Sequence, residues 1–128
     1  MEVYCDGACS GNPGNAGLGF VVVEDSKIVA KYSEFIGFAT NNIAELLAIK
    51  ASLLYSFSHN SAPVIYSDST YAISAITNRT NNVKNKQLIE EIRQIVSGAK
   101  FEHVKGHSKN QYNEMADSLA KQAVLMGK

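Results

Sequence analysis

Apolar and polar residues change their spacing along the chain, and each change marks an element. The first apolar run, Val3-Tyr4-Cys5, is short and leads into residues rich in Gly, Asn and Pro up to Gly14. It predicts a buried strand that gives way at Asp6 to a tightly bending loop. Gly17 to Glu24 is a β-rich run, Asp25-Ser26-Lys27 a turn, and Ile28 to Phe38 a second run with partial alternation. Short connections between these runs predict antiparallel neighbours, a meander of three strands. From Asn42 the period becomes helical, with Ile43, Leu46, Leu47, Ile49, Leu53 and Leu54 on one stripe. Thr40, Asn41 and Asn42 are N-cap candidates, and this helix is expected to end between Ser56 and Asn60. Pro63 opens a strand, Val64-Ile65-Tyr66-Ser67, that finishes at Asp68; a helix from Thr70 to about Thr77 follows, capped by Asp68 or Ser69. The polar stretch from Asn78 to Asn85 reads as a loop, and Lys86 to Val96 as a helix stopped by Gly98. Lys100 to Lys105 alternates as a fifth strand, Gly106 to Tyr112 is a polar loop, and a last helix runs from about Asn113 to Met126. Three strands followed by alternating helix and strand predict an α/β layer with a mixed sheet.

Composition narrows this picture only a little. The 128 residues suit one domain, 1–128, with an ordinary globular balance of 45% hydrophobic and 19% charged residues. Twelve basic and twelve acidic side chains cancel, so no strongly basic total points to nucleic acid. Acids gathered at a metal site can nevertheless offset bases spread over a binding face. Cys5 and Cys9 have no zinc spacing; Cys5 is expected as a buried free thiol and Cys9 as a loop residue that contacts substrate or fills space. With no visible signal peptide and no apolar run of membrane-spanning length, a cytoplasmic, membrane-independent protein is expected.

Four carboxylates stand at informative edges of the predicted elements. Asp6 ends the first strand, Glu45 falls in the first turn of the first helix, Asp68 ends the fourth strand, and Asp117 lies in the first turns of the last helix. Each has an ordinary reading: Glu45 and Asp117 favour helix N-termini through the dipole, and Asp68 can be an N-cap. Together they are expected on one rim of the sheet, where α/β proteins bind ligands. Oxygen donors without Cys or His suit Mg²⁺, with Mn²⁺ as a substitute, rather than zinc. Four carboxylates exceed the need of one such ion, and two ions about 4 Å apart would use them all in a phosphoryl displacement.

Four motifs, in order, carry a resemblance over essentially the whole chain. They are Asp6-Gly7-Ala8-Cys9-Ser10-Gly11-Asn12-Pro13-Gly14, Thr40-Asn41-Asn42-Ile43-Ala44-Glu45, Tyr66-Ser67-Asp68-Ser69, and Val104-Lys105-Gly106-His107 leading to Asn113-Glu114-Met115-Ala116-Asp117. The chain resembles a type 1 ribonuclease H, the family that cuts the RNA strand of RNA–DNA hybrids. The resemblance implies the ribonuclease H-like fold, a five-stranded mixed sheet with its first three strands antiparallel and helices on both faces. It implies that Asp6, Glu45, Asp68 and Asp117 are catalytic and hold two Mg²⁺ ions when substrate is bound. Asp6, on the central strand, would bridge both; Glu45 and Asp68 would hold the ion on the leaving-group side and position the water; Asp117 would hold the ion nearer the nucleophile. The products would carry 5′-phosphate and 3′-hydroxyl ends.

His107, between Gly106 and Ser108, is expected to be mobile and to shuttle a proton or assist product release, with a plain surface histidine as the alternative. His103 is expected to be structural and His59 a solvated cap. Recognition of the 2′-hydroxyl needs groups that donate and accept, which Asn12, Asn41 and Asn42 carry and the backbone near Cys9 and Gly11 can supplement. Thr40, Ser69 and Thr70 are candidates for phosphates, and Asn113 for substrate. The partner is an RNA–DNA hybrid, with double-stranded RNA or RNA–DNA junctions as possible extensions, and the protein is expected to be a monomer; a non-catalytic hybrid-binding module is the alternative. Two departures from the family pattern matter. Ile43-Ala44 replace the arginine that many members carry before the glutamate, and Thr77 to Lys86 offers only Arg79, Lys84 and Lys86, without tryptophan, where many bacterial members have a basic protrusion. Weaker, salt-sensitive hybrid binding is expected, with Lys84, Lys86, Lys105 and Lys109 as the remaining phosphate contacts.

Overall fold

The computed structural model describes residues 1–77, 84–105 and 110–127. Its five-stranded sheet has the order β3-β2-β1-β4-β5, built from β1 (Glu2–Gly11), β2 (Gly14–Glu24), β3 (Lys27–Ala39), β4 (Val64–Ser67) and β5 (Lys100–His103). The first three strands are antiparallel, while β4 joins β1, and β5 joins β4, in parallel. Among the described residues four helices complete the fold: α1 (Asn41–Ser58), α2 (Thr70–Thr77), α3 (Lys86–Arg93) and α4 (Gln111–Met126). Among the described residues, no helix is long and apolar enough to cross a membrane.

The sheet separates two apolar layers. On one side Val3, Cys5, Leu18, Phe20 and Val22 pack against Leu46, Ile49 and Leu53 of α1, with Ala72 and Ala75 of α2 and Ile89 and Ile92 of α3 completing the core. On the other, Tyr4, Val21 and Val23 pack against Ala116 of α4. Strand alternation does this sorting, since neighbouring residues point to opposite faces. Helices therefore lie on both faces, as expected.

Central β1 is where expectation and structure differ most. The strand does not stop at Cys5 but runs on to Gly11, because β2 remains its partner from Glu2↔Val23 to Gly11↔Gly14. Sheet pairing here overrides the weak strand preference of Gly and Ser. The parallel partner β4 ends at the pair Cys5↔Ser67. Asp6 is thus the first residue of β1 beyond β4, at the end of one ladder and inside another. Two glycines let helices come close: a methyl on Gly7 would overlap the backbone of Ala44 and Glu45, and one on Gly19 would overlap Leu119 and Ala116. Other boundaries shift modestly. α3 stops at Arg93 instead of Val96, where the Ile95 N–H turns to Ile92 O at 3.0 Å. β5 stops at His103, short of Lys105. α4 starts at Gln111 because Asn110 Oδ1 caps it, accepting from the N–H of Tyr112 and of Asn113 at 3.0 Å each.

Candidate active site

Asp6, Glu45 and Asp68 come from β1, α1 and the β4–α2 turn, and one carboxylate oxygen of each lies within 4.8 Å of the others. Asp6 is 4% exposed and Glu45 7%, and Asp68 is half-buried. Glu45 is the fifth residue of α1, so it does not lie in the first turn as its spacing suggested; no acidic residue does. Its place is therefore not accounted for by the helix dipole, which fades after one turn. The Gly7 N–H bridges the two buried acids, 3.0 Å from Asp6 Oδ1 and 2.6 Å from Glu45 Oε1. Asp117, in the second turn of α4, joins from the opposite face through a side-chain hydrogen bond to Asp6. Its Oδ2 also accepts from Lys121 Nζ at 3.0 Å.

This crowding is costly for anions. Burial first, then the charges of Glu45 and Asp68, hold the Asp6 carboxyl far above the usual carboxylate range. Glu45 is raised too, chiefly by burial with Asp68 adding, while its hydrogen bonds to Asp6 and the Gly7 N–H pull the other way. Without a cation, the site keeps protons that exposed carboxylates would shed. The donor set is hard oxygen held close together, which fits Mg²⁺ or Mn²⁺.

Beside Asp117 opens a cleft of about 510 Å³, lined among others by Gly7, Ala8, Cys9, Ser10, Asn41 and Lys121. A larger one, about 570 Å³ between α1 and the β2–β3 face, includes Phe20, Tyr32 and Leu54 but none of the four carboxylates. The chemistry assigns the site to the smaller cleft. Of the residues expected to meet RNA, Cys9 and Asn41 line this cleft. Asn12, at the β1–β2 turn, accepts from the Asn41 N–H at 2.9 Å through Oδ1, and Thr40 Oγ1 caps α1 by accepting from the Ile43 N–H at 3.2 Å. Gly11 turns the chain there with φ +93°, and Cys9 Sγ points back to Ala39 O at 3.0 Å. Asn42 is exposed in the first turn of α1. Ser69, rather than Asp68, caps α2, its Oγ accepting from the Ala72 N–H at 3.1 Å.

The remaining candidates divide. Asn113 is only 3% exposed, and its Oδ1 has no hydrogen-bond partner among the described residues. His103 Nε2 lies 3.2 Å from both Asp68 O and Thr70 Oγ1, bracing the turn that carries Asp68, in keeping with a structural role. His59 is the C-cap residue of α1, exposed, with Nδ1 2.8 Å from Tyr55 O. Cys5 is a buried free thiol. His107, Lys109 and Arg79 lie outside the described residues. Sequence reasoning missed the Gly7 N–H, for which no sequence signal exists, and Lys121, whose i,i+4 spacing from Asp117 was visible.

Comparisons with known proteins agree with one another. The family model for RNase H matches residues 1–125. The ribonuclease H of Chlorobium luteolum is 34% identical over 140 aligned positions, covering 97% of this chain and 94% of its own. That of Prosthecochloris aestuarii is 35% identical, with 95% and 93% covered. Among solved structures, RNase H1 of the archaeon Halobacterium salinarum superposes with a TM-score of 0.86 at 31% identity, over 98% of this chain and 97% of its own. LC11-RNase H1, solved in complex with an RNA/DNA hybrid, gives 0.84 at 25% identity over 98% and 97%. Fold, acidic cluster and relatives lead to one assignment: the chain belongs to the RNase H family, as a type 1 ribonuclease H.

Proposed function

We propose that this chain hydrolyses the RNA strand of RNA–DNA hybrids at the Asp6–Glu45–Asp68–Asp117 site with two divalent ions. The observation that carries the reading is the convergence of Asp6, Glu45 and Asp68 oxygens within 4.8 Å, with Asp117 bonded to Asp6, at a cleft edged by the asparagine-rich β1–β2 turn and the start of α1. The structural neighbour solved with an RNA/DNA hybrid supports the substrate class. Divalent ions bound there supply Lewis-acid activation of water and neutralise the leaving oxygen.

The chain's own residues set the geometry for this. Asp6, at the end of the β1–β4 ladder, would serve both ions; Glu45 would join it from α1, Asp68 from the β4–α2 turn and Asp117 from α4. Mg²⁺ is the expected ion and Mn²⁺ a substitute. A water oxygen joins phosphorus as the bond to the 3′ oxygen breaks, leaving 5′-phosphate and 3′-hydroxyl ends. Asn12 has its Oδ1 engaged by α1, which leaves its Nδ2 to donate to the RNA strand; Asn41 and Asn42 present both amide functions. The Thr40 and Ser69 hydroxyls accept from backbone N–H groups and keep a hydrogen for a phosphate. Cys9 and Gly11 contribute backbone groups, Asn113 turns its Oδ1, which has no partner among the described residues, to substrate, and His107 moves protons or product.

Cleavage of one labelled RNA strand, paired with DNA or with RNA, in Mg²⁺, Mn²⁺ or EDTA tests this. The DNA-paired strand is expected to be cut only with metal, and Asp6→Asn to abolish cutting. Equal cutting of the RNA duplex would widen the substrate class. An intact hybrid under every metal condition, from folded protein, would overturn the reading.

A further inference from the structure

Lys121 stands one helical turn after Asp117, its Nζ 3.0 Å from Asp117 Oδ2. Among the described residues it is the lysine or arginine that forms a salt bridge with one of the four carboxylates. This is no ordinary surface pair. The acid it holds is hydrogen-bonded to buried Asp6, which in turn adjoins Glu45 and Asp68, so the ammonium lies at the edge of a cluster of four acids. The Lys121 side chain is 64% exposed, so little packing fixes it in place. It also lines the cleft that holds Cys9, Ser10 and Asn41.

We infer that Lys121 is an exchangeable counter-cation: it holds Asp117 while the site is empty, yields that carboxylate to a divalent ion, and then serves a backbone phosphate of the RNA strand in the cleft. An ammonium and a divalent ion cannot share the same carboxylate oxygens without strong repulsion, and the ion carries the larger charge. A compact charge on a flexible four-carbon stem can leave at little cost. Once displaced, it stands in a cleft whose opposite wall is β1 and the start of α1. The first half of the inference needs only a cation at the four acids; the second rests on the hybrid-nuclease reading.

Calorimetric titration of Mn²⁺ into the protein without nucleic acid tests the exchange. Lys121→Met is expected to tighten Mn²⁺ binding about three- to tenfold, the scale of an exposed ion pair acting against a divalent charge. Lys121→Arg should behave as the parent chain. The gain should vanish when Asp117→Asn is already present, since the double cycle isolates the pair. Unchanged or weaker Mn²⁺ binding in Lys121→Met, or a gain that survives Asp117→Asn, would overturn the exchange. At saturating metal, Lys121→Met should raise KM for the hybrid severalfold, and an unchanged KM would overturn the phosphate role. If the parent chain cuts no hybrid at all, the nuclease reading falls while the calorimetric cycle still decides the exchange.

Discussion

At Asp6 a carboxyl group sits where its ion is disfavoured by burial and by two acidic neighbours. In the unfolded chain it would titrate near pH 4, whereas in the fold its pKa is raised far above that. Between those values the folded state binds more protons than the unfolded one, so stability must fall as pH rises. In EDTA the midpoint of thermal unfolding is therefore expected to drop between pH 5 and pH 8. Asp6→Asn should flatten that slope and raise the midpoint at pH 8 by several degrees, as for about 1–2 kcal/mol. A variant melting at or below the parent at pH 8 would contradict this. Adding Mg²⁺ should stabilise the parent and leave Asp6→Asn nearly unmoved. All four acids were recognisable in the sequence because each interrupts or borders a periodic run. The partners that hold them were not, since the contact from Gly7 to Glu45 spans 38 residues and no local pattern encodes it.

The element that most constrains the site is the crossing of α1 over β1. Gly7 permits backbone-to-backbone approach there, so Gly7→Ala would force α1 away from the strand and separate Glu45 from Asp6. Overpacking against backbone should cost about 3 kcal/mol. A urea midpoint in EDTA checks this, and weaker Mn²⁺ binding should accompany the loss. Helical periodicity made α1 and α2 readable, and α2 falls at Thr70–Thr77 as expected. Elements whose extent depends on a partner leave a weaker signal in the sequence. Gly7, Ser10 and Gly11 look like loop residues when their pairing with β2 is unseen, so the strand signal ends at Cys5 although β1 runs on to Gly11. The cap of α4, Asn110, sits in a polar run with no apolar stripe to mark it, so the periodicity points to Asn113 and not to Gln111 as the first residue.

Across the whole molecule, a formal charge of zero conceals an uneven arrangement. Four of the twelve acids meet at one site, while Lys84, Lys86 and Lys105 are exposed. Hybrid affinity should be modest and fall with salt, and Lys86→Ala should flatten the slope of log affinity against log salt by about 0.9 if that lysine meets a phosphate. Fluorescence anisotropy across a salt series measures it, and an unchanged slope would remove Lys86 from the interface. The α/β class followed from the order of runs alone. The resemblance adds a five-stranded mixed sheet with the Asp6 strand at its centre, but the order β3-β2-β1-β4-β5 is visible only in the fold, because strand neighbours distant in sequence leave no periodic trace.

The bond from Gly7 N–H to Glu45 Oε1, at 2.6 Å, is short and directed at an acid that a cation would claim. Such a proton is strongly deshielded, so in a nitrogen–proton NMR spectrum the Gly7 amide should stand apart at low field. As Mg²⁺ draws charge from Glu45 the resonance should travel toward the crowd, and its midpoint should match that of calorimetry. One backbone amide would then report, without substrate or turnover, how much of the enzyme is loaded.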